Sequence, residues 1–259
     1  MLKEGCIVRA VEITERKPKS WIFRLENEGE KSTHLGRIDH DKIIGLKYGQ
    51  VISVTKGQIV LLKPSPRDFL RSFTLKTQIL YADDCAVACS VAGVGNGMNV
   101  GEAGTGSGAL TTFLAWAVAP DGHVYSFDVN EKHLRNAEQN IQMTGLQNNI
   151  TFQVQDIRES FNVPLLDAFF LDFSTPFEAI DSIAPTLIGG GHLICFVPNW
   201  GQVEQTVEKI NQNSAFELQQ VFEITRRDFN VNPKKHIMRP KFRSIVYSGI
   251  LIHAIKILS

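Results

Sequence analysis

A glycine-rich stretch near the middle of the chain constrains the fold more than any other feature. Residues 100–110 have the sequence VGEAGTGSGAL, in which Gly104, Gly106 and Gly108 alternate with other residues. A β-prone segment precedes it and a helix-prone segment follows it. Glycines at such a turn let a ligand approach the backbone closely, which is typical of the first βα turn of an open α/β sheet. The GxGxG spacing differs from the GxGxxG pattern of dinucleotide-binding folds.

Around this stretch the chain alternates between strand-prone and helix-prone segments. Strands are predicted at 99–103, 123–128, 150–155, 168–172 and 192–197, and helices at 83–92, 109–119, 131–144, 177–188 and 203–213. Asp83 or Asp84 is predicted to cap the first helix. Repeated βα units indicate an α/β fold with a mostly parallel sheet covered on both faces. Two late β-prone stretches, 218–225 and 243–255, have no helix between them, which predicts an antiparallel pair.

The first part of the chain has a different pattern, with short β-prone segments separated by turns. These segments are 6–13, 21–25, 50–55 and 58–62. Lys56-Gly57 predicts a hairpin between the last two, and the sequence KPSP at 63–66 then interrupts the regular structure. We therefore expect a small β-rich domain over 1–63, a linker over 64–77 and an α/β domain over 78–259.

Charge is distributed unevenly along a chain whose formal net charge is zero. Residues 1–80 contain 15 Lys and Arg against 9 Asp and Glu, residues 81–200 contain 3 against 13, and residues 201–259 contain 9 against 5. The acidic middle part favours a cofactor that carries positive charge, and the basic flanks favour a polyanion such as a nucleic acid. Solvated surfaces that happen to segregate in this way are the alternative explanation.

The composition excludes several classes of protein. Apolar residues make up 43% of the chain and charged residues 21%, as in globular and not in disordered proteins. No apolar run reaches the roughly 18 residues of a membrane helix, and the N terminus lacks the apolar core of a secretory signal. Four cysteines without a CxxC pair predict neither a zinc site nor a disulfide framework, and Cys85 and Cys89 are interpreted as packing residues. We expect a cytoplasmic protein that binds no metal and no membrane.

Acidic residues mark the carboxyl ends of successive predicted strands, the edge at which open α/β sheets bind ligands. Glu102 lies two residues before the first loop glycine, where a carboxylate favours a cationic amino-acid head group. Asp128 ends the next strand and is placed either to bind two ribose hydroxyls or to cap a helix. Asp156 ends the third strand, where it would accept a hydrogen bond from an adenine amino group or cap a helix. Asp172 ends the fourth.

These acids belong to motifs that resemble a known family. The motifs are Thr77-Gln78-Ile79-Leu80-Tyr81 with Asp84, Glu102-Ala103-Gly104-Thr105-Gly106-Ser107-Gly108, Leu171-Asp172 with Pro176, Pro198-Asn199 with Gln202-Val203, and Met238-Arg239-Pro240. Across nearly the whole chain, the sequence resembles class I S-adenosylmethionine-dependent methyltransferases, and more narrowly the tRNA (adenine-N1)-methyltransferases that act on T-loop adenine 58. The archaeal branch, which also modifies adenine 57, looks closest through Lys234-Lys235 and the β-rich domain in front.

The resemblance implies a Rossmann-like, seven-stranded sheet, S-adenosyl-L-methionine as the cofactor, tRNA as the substrate and a homotetramer. It implies two catalytic residues: Asp172, which accepts a hydrogen bond from the amino group of the target base, and Tyr81, which stacks on that base or contacts it edge-on. The implied cofactor-binding residues are Gln78, Glu102, Gly104, Thr105, Gly106, Ser107, Gly108, Ala109, Leu110, Asp128, His133, Asp156, Ile157 and Asp172. The sequence departs from the family pattern at Ser174, where proline is usual, and at Tyr247-Ser248-Gly249, where the archaeal branch often has His-Thr-Gly.

Some features allow more than one interpretation. The basic segment from Arg226 to Arg243 would contact phosphates or form a solvated surface, and Trp200 would line a base pocket or pack in the core. Three alternative functions stay open: a nicotinamide-dependent oxidoreductase, a non-catalytic RNA-binding subunit of a tRNA methyltransferase complex, and methylation of a protein or small molecule. The first is expected to carry GxGxxG, and the second to have lost the cofactor loop.

Overall fold

The computed structural model describes residues 1–15, 17–242 and 247–258. Contacts divide the chain into two compact units. The first unit consists of Met1–Thr74 and Gln139–Gln147, and the second of Leu75–Glu138 and Asn148–Ser259. Each unit contains a hydrophobic core of its own.

The first unit is built from short antiparallel strands. They are β1 (Ile7–Glu12), β2 (Ser20–Arg24), β3 (Glu30–Thr33), β4 (Gly36–Asp39), β5 (Val51–Val54) and β6 (Gly57–Leu62). Four of them form one sheet in the order β2-β1-β6-β5, and β3 pairs with β4. Alternation along the strands buries Val8 and Ala10 of β1 together with Ile59 and Leu61 of β6. The predicted β-rich N-terminal region is therefore confirmed.

The segment predicted as a linker begins with a short helix, α1 (Pro66–Leu70). Pro66 lies in the first turn, where its missing N–H has no helical partner to lose. The Asp68 carboxylate accepts a hydrogen bond from the backbone N–H of Ser65 at 3.0 Å, and Phe69 is buried. The prolines thus start a helix at a place where the sequence pattern predicted a break in regular structure.

The second unit is built on a sheet of seven strands. The strands that follow β6 are β7 (Asn99–Ala103), β8 (His123–Asp128), β9 (Ile150–Val154), β10 (Leu166–Leu171), β11 (Leu187–Val197), β12 (Phe216–Glu223), β13 (Phe229–Asn232), β14 (Ile237–Pro240) and β15 (Ile250–Lys256). The sheet has the order β12-β15-β11-β10-β7-β8-β9. Strands β7 to β11 run parallel, and β15 is antiparallel to both β11 and β12. The predicted mixed sheet with a final antiparallel pair is confirmed.

The strand order creates a crevice at the carboxyl edge of this sheet. From β7 the chain adds β8 and β9 on one side of the sheet, and it then crosses over to add β10 on the other side. The strand order therefore reverses at β7. Phe169 and Phe170 of β10 are buried on opposite faces, as expected for a strand covered by helices on both sides. Ligands of open α/β sheets bind at such a switch point.

The helices after α1 are α2 (Ala82–Val91), α3 (Ala109–Val118), α4 (Glu131–Gln142), α5 (Ile180–Ile183) and α6 (Trp200–Gln212). Two of them start differently from the prediction. Tyr81 is the N-cap of α2, so Asp83 and Asp84 lie in its first turn, where negative charge interacts favourably with the helix dipole. α6 starts at Trp200 and not at residue 203, because the Asn199 side chain caps it.

The helix predicted at 177–188 was wrong. A 3₁₀ turn (Pro176–Ala179), the single turn of α5 and a second 3₁₀ turn (Ala184–Thr186) replace it. Pro185 cannot donate a backbone hydrogen bond, which explains the early end of the α-helix. The glycines at 189–191 lie inside β11 and do not terminate a helix.

The hairpin of β13 and β14 was not predicted. Its two strands pair with each other and leave most of their side chains exposed. In the predicted basic segment, Arg226 pairs with Asp83 and Asp228, and Lys241 also pairs with Asp228. Arg243 and the first residues of the strand predicted at 243–255 lie outside the described residues. Within the described part of the chain, no helix is long and apolar enough to cross a membrane.

Candidate active site

The glycine-rich loop follows β7 and leads directly into α3. Gly104, Gly106 and Gly108 have φ values of 91°, 55° and 82°, in the left-handed region that favours glycine. A Cβ atom at position 104 would collide with the backbone carbonyl of Asp172. Glycine is therefore required for the loop to pass beside the end of β10, at the switch point of the sheet.

A cavity of about 370 Å³ opens at the carboxyl ends of β7, β8, β9 and β10; we call it the first cavity. The predicted site residues on its wall are Gln78, Glu102, Gly104, Thr105, Gly106, Ser107, Ala109, Leu110, Asp128, His133, Asp156, Ile157 and Asp172. Gly108 is not on the wall, because it caps α3 and faces Ala137 of α4. The structure thus brings together side chains from four strands that are distant in sequence.

Glu102 lies beneath this cavity and is 1% exposed. Its Oε2 accepts hydrogen bonds from the hydroxyls of Thr111 at 2.6 Å and Ser126 at 2.7 Å. Its Oε1 has no hydrogen-bond partner among the described residues. Burial raises the pKa of Glu102 to about 7, with a smaller contribution from Asp128, although the two hydroxyls act in the opposite direction. A buried acceptor of this kind is suited to a donor that a ligand supplies.

Asp172 follows β10 directly, and its backbone N–H donates to the Ala103 carbonyl at 2.9 Å. Burial and then the negative charge of Glu102 raise the pKa of Asp172 to about 8. Across residues 1–15, 17–242 and 247–258, neither carboxylate forms an ion pair. The two acids therefore create a strongly negative, uncompensated region once they are ionised.

Asp128 is held by the loop and by the start of α4. Its carboxylate accepts hydrogen bonds from the backbone N–H groups of Gly106 at 3.0 Å and Asn130 at 2.8 Å. His133 Nδ1 lies 3.2 Å from Oδ2 of the same carboxylate. These contacts fix Asp128 at the end of β8. The side chain that accepts from the first turn of α4 is that of Asn130, whose Oδ1 accepts from the Lys132 N–H at 2.9 Å, so Asp128 is not the helix cap.

Asp156 lies two residues beyond β9 and is paired within the protein. The Arg158 guanidinium contacts Asp156 at 2.6 Å and Glu178 at 2.9 Å. Hydrogen bonding to Arg158 lowers the pKa of Asp156. The carboxylate for which the sequence left two roles open, an acceptor for an adenine amino group or a helix cap, therefore already has a cationic partner.

Comparison with known proteins decides the family. The sequence profile described as "tRNA methyltransferase complex GCD14 subunit" matches residues 57–244, and a profile described as "TrmI-like N-terminal" matches residues 10–52. The first match covers well over half of the chain. The chain belongs to the GCD14 family. The resemblance to tRNA (adenine-N1)-methyltransferases that the motifs indicated is confirmed.

Relatives and solved structures agree with this assignment. The tRNA (adenine(58)-N(1))-methyltransferase TrmI of Thermus thermophilus is 26% identical, over 93% of this chain and 94% of the relative. The archaeal tRNA (adenine(57)-N(1)/adenine(58)-N(1))-methyltransferase TrmI of Methanocaldococcus jannaschii is 25% identical, over 92% of each chain. A crystal structure described as a SAM-dependent O-methyltransferase from Thermotoga maritima matches with a TM-score of 0.82 and 29% identity, over 100% of this chain and 95% of that chain. Identities of 25% and 26% do not single out the archaeal branch.

As in a two-substrate enzyme, this GCD14-family protein has a second cavity beside the first. It has a volume of about 420 Å³, and we call it the second cavity. The described residues that line both cavities are Gln78, Ile79, Leu80, Asp172, Phe173 and Ser174. Tyr81, Phe196, Gln202 and Ser248 also line the second cavity. The two residues predicted as catalytic, Asp172 and Tyr81, therefore meet at the second cavity.

Trp200 lies close by in sequence but lines neither of these cavities. Its side chain is 72% exposed, so the core-packing interpretation was wrong. Cys85 and Cys89 are both buried and free, in agreement with their interpretation as packing residues. In the parts of the chain that the structure describes, no group of three or more His, Cys, Asp or Glu residues could hold a metal ion.

Sequence reasoning missed two residues, Thr111 and Ser126, and one contact of the predicted residue Ser107 that support the site. Thr111 and Ser126 bind Glu102, but neither stands in a recognisable spacing to it. The Ser107 hydroxyl accepts hydrogen bonds from the backbone N–H groups of Lys76 at 3.1 Å and Thr77 at 3.3 Å, so it anchors the segment that precedes Gln78. A small hydroxyl residue between two loop glycines was the one available signal for that contact.

Proposed function

We propose that this protein transfers the methyl group of S-adenosylmethionine to N1 of adenine 58 in the T-loop of tRNA. The observation that carries the proposal is the position of Asp172, the only residue with an ionisable side chain among the six described residues that line both cavities. A methyl transfer requires two substrates that meet at one point, and Asp172 marks that point. Membership of the GCD14 family and the activities named for the relatives support tRNA adenine as the acceptor.

The chemistry of the first cavity fits the cofactor. The unpartnered Oε1 of Glu102 suits the ammonium group of a bound amino acid. The Asp128 carboxylate suits the ribose hydroxyls, and Asp156 with Ile157 suits the adenine ring. Because Glu102 and Asp172 have no cationic partner in the described chain, a ligand with positive charge would stabilise their ionised forms.

S-adenosylmethionine supplies, when bound, an electrophilic methyl group on a positively charged sulfur. Adenine N1 is a neutral nitrogen with a free lone pair, so the protein needs no base to activate it. Asp172 has two tasks in our proposal. It accepts a hydrogen bond from the amino group of the base, and its negative charge stabilises the positive charge that develops on the ring.

Tyr81 completes the target site in this proposal. Its side chain is 42% exposed on the wall of the second cavity, where a base can stack on it. The target adenine belongs to a folded RNA and has to leave its stack before it can enter the cavity. Stacking on an aromatic ring recovers part of the free energy lost on leaving, about 1–3 kcal/mol per base.

The rival functions are less well supported. An oxidoreductase would bind a pyrophosphate at the loop, but Glu102 lies directly beneath it and would repel one. A non-catalytic subunit has no need for an intact loop and an unpaired acid cluster. O-methylation, as named for the Thermotoga structure, normally requires a base to deprotonate the acceptor hydroxyl. A shared fold does not fix the acceptor atom, so the acceptor has to be tested directly.

The deciding experiment is methylation of an unmodified tRNA transcript with labelled S-adenosylmethionine, followed by mass spectrometry at nucleotide resolution. We expect 1-methyladenosine at position 58, and the same spectrum reports on position 57. A transcript with guanosine at position 58 serves as the control. Thermal stabilisation by NADH and not by S-adenosylhomocysteine would contradict the proposal and favour the oxidoreductase.

The proposal extends to the assembly and to the RNA-contacting surface. We propose a homotetramer, as the resemblance to the tRNA (adenine-N1)-methyltransferases implies. We further propose that tRNA phosphates bind to the basic parts of the chain, because residues 1–80 and 201–259 carry the excess of Lys and Arg. Light scattering should give about four times the chain mass of 28.9 kDa at micromolar concentration. A monomer under those conditions would contradict the tetramer and leave the catalytic proposal intact.

Boundaries and location are part of the same proposal. We assign residues 1–63 to a small accessory domain, 64–77 to a linker and 78–259 to catalysis, and we place the protein in the cytoplasm. The cysteines of the chain are all free, which suits a reducing compartment. Expression of residues 78–259 alone, with calorimetry of S-adenosylhomocysteine binding, tests whether that part holds the complete cofactor site.

A further inference from the structure

Ser248 lines the second cavity, and it and its two chain neighbours are each held by a separate contact. The Tyr247 hydroxyl donates to the Pro198 carbonyl at 2.6 Å. The Ser248 hydroxyl donates to Asp84 Oδ1 at 2.8 Å. A Cβ atom at Gly249 would collide with the ring of Phe196, so the backbone lies against that ring. These contacts fix the position of Ser248 on the cavity wall.

Asp84 contacts two of the residues that line the second cavity. Its side chain is buried, in the first turn of α2. Besides the Ser248 hydroxyl, it receives a hydrogen bond from the backbone of Tyr81. One buried carboxylate therefore positions both the aromatic residue proposed to stack on the base and the Ser248 hydroxyl.

The direction of the hydrogen bond gives Ser248 a defined character. An ionised carboxylate has no proton, so in the pair with Asp84 the hydroxyl of Ser248 must be the donor. The lone pairs of Ser248 then remain as acceptors toward the cavity. Asp172 is likewise an acceptor when it is ionised. Gln202 donates one N–H of its side-chain amide to the Ser174 carbonyl at 2.8 Å, and its Oε1 accepts from the Asn199 amide at 2.8 Å, so its acceptor oxygen is already engaged.

We propose that Ser248, held by Asp84, accepts a hydrogen bond from the exocyclic amino group of the target adenine and so determines specificity for a 6-amino purine. This inference rests on the proposed function. Adenine carries two N–H bonds on the amino group beside N1, and Asp172 and Ser248 provide one acceptor for each. Asp84 is a positioning residue in this scheme, because it acts through Ser248 and Tyr81.

The test is a double-mutant cycle that combines removal of the Ser248 hydroxyl with removal of the amino group of the substrate. Two tRNAs are prepared by ligation, one with adenosine and one with purine riboside at position 58, which lacks the amino group. The value of kcat/KM for the adenosine tRNA is divided by that for the purine riboside tRNA, and this ratio is measured in the wild type and in Ser248→Ala. Loss of one neutral hydrogen bond changes a rate constant by roughly 2- to 12-fold, and we expect the ratio to fall by that factor in the variant.

Three further variants separate recognition from structure. Ser248→Thr keeps the hydroxyl and should keep the wild-type ratio, whereas Ser248→Cys, of similar size but a weak acceptor, should lower it. Asp84→Asn should lower the ratio as Ser248→Ala does, with S-adenosylhomocysteine affinity unchanged. Ser90→Ala, on the exposed end of α2, is the matched control and should change neither quantity.

The outcomes distinguish this inference from the function it rests on. An unchanged ratio in both Ser248→Ala and Ser248→Cys, with or without a uniform loss of rate, would overturn the assignment of Ser248. A wild-type protein that binds S-adenosylhomocysteine but methylates neither tRNA at position 58 would overturn the proposed function itself. A lowered ratio in Ser248→Ala and Asp84→Asn, with Ser248→Thr at the wild-type value, would support the inference.

Discussion

Two pairs of carboxylates near the carboxyl edge of the large sheet have opposite electrostatic environments. Burial raises the pKa of Glu102 to about 7 and that of Asp172 to about 8. Hydrogen bonds lower the pKa of both Asp156 and Glu178. The difference is Arg158, which contacts both members of the second pair, whereas the first pair has no cation among the described residues.

This contrast separates recognition from scaffolding. A carboxylate that carries its own cation is ionised whether or not a ligand is present. A buried carboxylate without one is readily ionised only when a ligand brings positive charge. We therefore assign the recognition of positive charge to Glu102 and Asp172. Asp156, whose charge Arg158 already balances, takes no part in the recognition of positive charge.

The largest effect should come from Asp172→Asn. The variant keeps the size of the side chain and an acceptor oxygen, but it removes the negative charge that faces the developing cation. Loss of one such electrostatic contact typically costs about 10²–10³ in turnover. Single-turnover methylation of a tRNA transcript measures this loss. Asp167→Asn, an Asp-to-Asn change near the start of β10, is the matched control.

The same variant should be more stable than the wild type at neutral to alkaline pH. The pKa of Asp172 is raised in the folded state, so the folded protein retains a proton that the unfolded chain has lost between about pH 4 and pH 8. The contribution of Asp172 to the free energy of unfolding is fully present below the pKa of the unfolded chain and is lost as the pH rises through about 8. The gain in melting temperature from Asp172→Asn should therefore grow from pH 5 to pH 8. A fully active variant with lowered stability would show that Asp172 is only a structural cap.

The next effect in size concerns cofactor affinity in Asp128→Ala. The change removes the proposed ribose acceptor and the partner of the Gly106 N–H. Hydrogen bonds to a charged group contribute about 1.5–3 kcal/mol, so affinity for S-adenosylmethionine should fall roughly 10- to 150-fold by calorimetry. Asp121→Ala, in the turn before β8, is the control. Unchanged binding in a folded Asp128→Ala protein would remove Asp128 from the site.

A smaller, pH-dependent effect should come from Glu102. A cationic ligand binds best to the ionised carboxylate, and its pKa of about 7 in the free protein means that protonation competes with binding below pH 7. Affinity for S-adenosylmethionine should therefore fall by about tenfold between pH 8 and pH 6. Glu102→Gln should bind weakly at pH 8 and lose most of this dependence. A wild-type affinity that is constant over this range would contradict the assignment of Glu102 to ligand charge.

Much of the fold could be predicted because its signals are local. β7 and β8 have the predicted bounds, since central strands covered on both faces are short apolar runs between turn residues. The hairpin of β13 and β14 gave no such signal, because side chains exposed on both faces produce no alternation. The segment around α5 failed for another reason: Pro185 interrupts an otherwise helical composition.

Some parts of the candidate site could likewise be predicted from the sequence, and others could not. The strand-end acids Glu102, Asp128 and Asp172 could be found because one rule of α/β topology collects strand ends at a single edge. The contact between Ser248 and Asp84 joins residues 164 positions apart, and no local spacing indicates it. The effect of Arg158 on Asp156 is close in sequence, yet an i, i+2 pair in a loop has no preferred geometry that a pattern could reveal.

The smallest effect should come from Arg158→Met, which removes the cationic partner of Asp156 and Glu178. The Arg158 contacts lie at the surface, and exposed ion pairs often contribute nothing measurable to stability. We expect a melting temperature within error of the wild type and a turnover close to normal, because neither Asp172 nor Glu102 depends on Arg158. Calorimetry of S-adenosylhomocysteine binding, with and without 0.5 M salt, should show similar affinities for variant and wild type. A loss of turnover as large as that in Asp172→Asn would mean that the paired carboxylates also take part in catalysis, and the division between the two pairs would then be wrong.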